Sequence, residues 1–75
     1  MNNNNNMVEV DARGLMPPHP LAKILEAVAV LPPGAELRAR TDWRPIHLLA
    51  QLEQRGFTAV TEEQPDASFI TRIRR

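Results

Sequence analysis

Val8, Glu9, Val10 and Asp11 alternate between apolar and polar, the two-residue period of a strand with one covered and one wet face. From Pro20 the period changes. Leu21, Ile24, Leu25, Val28 and Leu31 recur three or four positions apart and form one apolar stripe on a helix, with Lys23 and Glu26 off it. Proline at the first helical position loses no internal hydrogen bond, which makes Pro20 the expected start. Pro32, Pro33 and Gly34 end this helix, because neither proline continues it and glycine tolerates the turn. In "AELRART" Leu37, Ala39 and Thr41 oppose Glu36, Arg38 and Arg40, a second strand. "DWRP" breaks it, and Pro45 opens a second helix with Leu48, Leu49 and Leu52 inward, Ile46 at the flank and Gly56 as C-terminal cap. "FTAVTEE" and "SFITRIRR" read as two more strands joined by the turn "QPDA". In the last of them Phe69, Thr71 and Ile73 alternate with Ile70, Arg72 and Arg74.

The predicted order is β-α-β-α-β-β. Each helix has one apolar stripe and each strand one polar side, so the helices cover a single sheet face in a two-layer α+β sandwich. Right-handed strand-helix-strand crossovers set the first three strands parallel, and the last returns antiparallel. A mixed four-stranded sheet with one wet face follows.

Length and composition limit the chemistry. A chain of 75 residues is one domain that buries about 60% of its unfolded surface, so any site is shallow and near the surface. The tract "MNNNNNM" has nothing apolar to bury, and residues 1–7 are expected to be a disordered tail without function of its own, ahead of a domain spanning 8–75. Nine basic residues balance nine acidic ones, which argues against bulk electrostatic binding of nucleic acid or an anionic membrane. Zero cysteines exclude disulfides, thiolate zinc sites, iron–sulfur clusters and thiol chemistry on the chain itself. A cytoplasmic protein is expected. No apolar run approaches the roughly 20 residues of a membrane span.

Asp11, Ala12, Gly14, Leu15, Pro18 and Pro20 in "DARGLMPPHPL" resemble the D-A-x-G-L-x-C-P-x-P signature of the TusA/SirA-like sulfur-carrier family. "LPPGAELRART" is similar to that family's turn into its second strand, and the element order from Val8 to Arg74 is similar as well. The position of the family's cysteine is Pro17 here. Together with "DWRPIHLLAQLEQRGF" and the terminal "RIRR", the chain more closely resembles an uncharacterised sister family, a domain of unknown function, that keeps the TusA-like fold and lacks the cysteine. In the sulfur carriers that cysteine becomes a persulfide at a helix start, where partial positive charge favours thiolate. Proline carries no group for this, so persulfide relay from this chain is chemically impossible, and a fold alone is no evidence of activity. The loop is then expected to serve through its other residues: Gly14 turns the chain, Leu15 plugs the core, and the prolines set the direction of the first helix.

With the first two strands parallel, both helices start at one sheet edge, where open α/β folds tend to bind ligands. Arg13, Met16, Pro17 and His19 are expected there beside Asp42, Trp43, Arg44 and His47. Two helix N-termini with Arg13 and Arg44 suit an anion, and neutral His19 and His47 could ligate a metal. Each residue also has a plainer reading. His19 is a solvated loop residue, His47 an exposed one opposite the leucine face, Asp42 a turn or cap, and Trp43 a lid packed over the helix start.

Arg38, Arg40, Arg72 and Arg74 are expected on the wet sheet face, on strands that are neighbours in the sulfur-carrier strand order. The fold also resembles the C-terminal domain of a bacterial translation initiation factor, which makes RNA the analogous ligand. Against this, Glu9, Asp11 and Glu36 can pair with the arginines, and both phenylalanines belong to the core, leaving none to stack on bases. No nucleophile has an adjacent base, and there is no Gly-rich phosphate loop. The reading is a non-enzymatic, monomeric accessory or binding module without cofactor or bound metal, acting at the helix-start edge on a protein partner or small anionic ligand. A metal-binding or redox-associated protein using His19 and His47 is the alternative. Neither nucleic acid nor membrane is the expected partner.

Overall fold

A computed structural model describes residues 7–75. The elements run β1 (Met7–Asp11), α1 (His19–Ala29), β2 (Glu36–Thr41), α2 (Ile46–Gln54), β3 (Thr58–Glu63) and β4 (Phe69–Arg74). β1 pairs parallel with β2, and β4 pairs antiparallel with both β2 and β3. The strand order is therefore β1-β2-β4-β3, and β1, β2 and β3 share a direction as the pattern predicted. A crossover through α2 leaves one strand's width beside β2, and the short 64–67 turn folds β4 back into it.

One face of the sheet carries the helices. Leu37, Ala39 and Ile73 on the strands meet Ile24, Val28 and Leu31 from α1 and its end, and Leu48 and Leu52 from α2, all buried. Full burial of such a side chain contributes about 1.5–3 kcal/mol. Two hydroxyls enter this layer with partners: Thr71 Oγ1 lies 2.8 Å from Thr61 Oγ1, and Thr41 Oγ1 donates to the Trp43 carbonyl at 2.7 Å. Among the described residues no buried side-chain polar atom lacks a partner, as expected for a well-formed interior.

The structure departs from the periodicity at element ends. The expected disordered tail lies outside the described residues except for Met7, which pairs with Glu36 as the first residue of β1. α1 begins at His19 with Pro20 second, and Pro45 is the N-cap of α2. His19 is thus helical, because its amide hydrogen bonds the Met16 carbonyl at 2.9 Å. Leu15 does not plug the core: it is 37% exposed, since Gly14 takes φ +79° and turns the chain outward before it. Gly56, at φ +82° after the C-cap Arg55, ends α2 as predicted.

Candidate functional site

The C-terminal ends of β1, β2 and β3 lie at one edge of the sheet, so the 12–18 loop, the 42–45 loop and the 64–67 turn converge there. Asp42 Oδ2 accepts the Gly14 amide at 2.7 Å and fastens the first two loops together. This assigns Asp42 the turn-holding role. Between the starts of α1 and α2 lies a groove of ≈ 500 Å³. Leu21, Ile24 and Leu48 line it from within, Pro17 and Pro20 from one side, and Trp43, Arg44, Ile46 and His47 from the other. Trp43 is 69% exposed and Ile46 67%, and Met16, beside Pro17 in the chain, is 73% exposed.

Trp43 is anchored by its backbone, through the Thr41 hydroxyl, while its indole stays open. The packed-lid reading of Trp43 is therefore not what the fold adopts. Arg44 lies over the Phe69 ring, with its guanidinium carbon 5.2 Å from the centroid, and no carboxylate among the described residues pairs with it within 4.0 Å. Stacking of this kind orients a guanidinium without neutralising it. His47 is exposed, opposite the leucine face as expected, and it also lines the groove.

Arg13 does not join this group. Its Nε and NH2 donate to Asp11 Oδ1 and Oδ2 at 3.0 and 2.8 Å, and NH1 lies 3.8 Å from Asp66 Oδ2. It thereby faces the open side of the sheet, where it lines a second recess with Glu9, Asp11, Arg38 and Arg40. The two cations expected to share an anion are not brought together: Arg13 is paired with carboxylates, and Arg44 lies over a ring at the groove. The start of α1 also offers few donors. The His19 amide bonds Met16, the Ala22 amide bonds Pro18, and Pro20 has none, which leaves Leu21.

His19 lies outside the groove lining. Among the described residues no three of His, Cys, Asp and Glu stand together in a way that could hold a metal ion.

On the open sheet face Arg38 and Arg74 share Glu36 at 2.8 and 3.3 Å, and Arg72 meets Glu62 at 3.2 Å. Hydrogen bonding from Arg38 holds the Glu36 carboxyl below its ordinary value. Asp11 is held well below the usual range by Arg13, and Asp66 is lowered by the Ser68 hydroxyl and amide. Arg38, Arg72 and Arg74 are thus laced into ion pairs, while Arg40 meets no carboxylate within 4.0 Å among the described residues. Sequence reading missed Ile46 and Pro45 as groove residues, and Asp66 and Phe69 as the partners of Arg13 and Arg44. An apolar isoleucine off the leucine stripe was the available signal for the first.

A family model described as an uncharacterised conserved protein, DUF2249, matches residues 9–75. The chain belongs to the DUF2249 family. No curated protein matches it. A crystal structure of a SirA-like protein from Desulfitobacterium hafniense is similar, with a TM-score of 0.77 and 22% identity over 89% of this chain and 95% of that one. That likeness shows the fold: this DUF2249 domain shares the SirA-like sandwich and carries Pro17 two positions before its first helix.

Proposed function

We propose that this DUF2249 domain is a non-enzymatic binding module that docks a protein partner on its helix-start edge. The observation that carries this is the set of three large apolar side chains, Met16, Trp43 and Ile46, each more than two-thirds exposed at one edge. Trp43 and Ile46 line the groove and Met16 precedes its Pro17 in the chain; exposed apolar groups at one edge mark interaction sites, and tryptophan is prominent among the residues that dominate interface energetics. Chemistry at the groove has little to draw on. Its ionisable lining groups are Arg44 and His47, without a nucleophile beside a base, and Pro17 has no sulfur to carry. A fold this small that holds together without disulfides suits a reducing compartment, and the cytoplasm is its proposed place of action.

A photo-cross-linking residue placed at position 46, compared with one at position 72 on the open sheet face, tests the assignment in the native host. The expected result is one discrete cross-linked protein from position 46, lost when Trp43→Ala is added, with none from position 72. Equal cross-linking from both positions, or none from 46, would overturn it.

A further inference from the structure

We propose that the groove takes an apolar segment of a partner protein flanked by carboxylates, in preference to a basic segment or a second copy of this chain. This refines the docking role proposed above and rests on it. The reason is charge. The groove's ionisable lining groups are Arg44 and His47, and no acidic residue occupies the first turn of either helix. Among the described residues Arg44, like Arg40 on the sheet face, meets no carboxylate within 4.0 Å, whereas Arg38, Arg72 and Arg74 do, and of these five only Arg44 lines the groove. Its guanidinium is held over Phe69 and keeps its charge at the rim.

The start of α2 adds to this field. Its Leu49 amide is taken by Pro45 and its Ile46 amide by Arg44, but Pro45, Ile46, His47 and Leu48 line the groove and so set the partial positive charge of the helix start beside it. Asp42, the nearest acid in sequence, spends one carboxylate oxygen on the Gly14 amide and does not line the groove. Apolar contact therefore supplies the anchoring, and the rim selects the sign of the flanks. Two copies meeting groove to groove would bring Arg44 and His47 against like groups with no carboxylate between them, which disfavours self-pairing. A basic segment meets the same repulsion.

Three synthetic peptides sharing a Leu-Phe-Leu centre, flanked by glutamate, serine or lysine, test the inference on the full chain. Trp43, the one tryptophan, reports binding by fluorescence, and amide shifts at Leu21, Trp43 and Ile46 report its place. The glutamate-flanked peptide should bind about tenfold more tightly than the lysine-flanked one at low ionic strength, and the gap should narrow as salt is added. Arg44→Glu should invert the ranking, and Arg44→Gln should flatten it, with the remaining amide spectrum of each variant confirming its fold. Equal or tighter binding of the lysine-flanked peptide in the groove would overturn the acidic preference and leave the docking role standing. No groove shifts with any peptide would remove the docking role as well. A dimer by sedimentation that shields Trp43 from a soluble quencher would make a second copy the occupant and overturn the inference.

Discussion

Ala67 has a φ of 72°, the one positive value on a non-glycine residue among those described. It sits in the 64–67 turn, where its amide bonds the Gln64 carbonyl at 2.9 Å. A Cβ in this region costs roughly 1–2 kcal/mol, and glycine's extra unfolded-state freedom offsets about 0.5–1 of that. Ala67→Gly should therefore raise stability by up to about 1.5 kcal/mol, read as a higher urea midpoint at unchanged slope. Pro17 allows a second test at the same scale. It is exposed and lies two positions before the first helical residue, so Pro17→Cys should fold with a change of about 1 kcal/mol or less. The new thiol should titrate below the roughly 8.5 of a free cysteine, since it immediately precedes the N-cap of a helix. Alkylation rate against pH measures it, and a midpoint at or above the free value would dissolve the positional match with the sulfur carriers.

At the scale of elements, α2 is held by the side chains it buries. Leu48 and Leu52 are almost wholly buried, while Leu49 is half-buried. Leu52→Ala should cost about 2–5 kcal/mol, a large fraction of the roughly 5–15 kcal/mol that holds a domain together. Leu49→Ala should cost clearly less, and circular dichroism melts of the two variants compare them. The β3–β4 pair carries a different kind of contact, the hydroxyl bond between Thr61 and Thr71. Thr71→Val leaves the Thr61 hydroxyl without its partner and should cost about 1–2 kcal/mol. Replacing both by valine should recover most of it, because a matched apolar pair has no stranded donor. A double-mutant cycle in urea reads this non-additivity.

Charge acts at the scale of the whole molecule. Arg13 links Asp11, at the end of β1, to Asp66, in the turn before β4. Asp11, Asp66 and Glu36 all have lowered folded-state pKa values. A carboxyl depressed in the fold contributes stability that is present above its unfolded value of about 4 and is lost as pH falls through the folded value. The melting temperature should thus hold from neutral pH to about 5 and decline below about 4. Asp11→Asn with Asp66→Asn should flatten that decline, and the effect should shrink in high salt because these groups are exposed. An acid limb unchanged by the double substitution would show that the pairs do not contribute.

Much of this fold was legible one residue at a time. Periods of 2 and 3.6 identified all six elements and most of their covered faces, though not that of β3, where Val60 lies 49% exposed, and the prolines and glycines between them marked the breaks. These signals are local, because a side chain's direction along a strand or helix repeats with the backbone. The absent cysteine excluded a persulfide on the chain itself without any structure. The site was legible only as a neighbourhood. That Arg13 turns to Asp11 and Asp66, that Arg44 lies on Phe69, that Leu15 faces out and Ile46 rims a groove, all depend on residues remote in sequence. Gly14 and Asp42, joined by one hydrogen bond, are 28 positions apart. A loop side chain has no periodicity to set its direction, so its orientation is decided by the contacts available once β4 has slotted between β2 and β3 and the three loops share one edge.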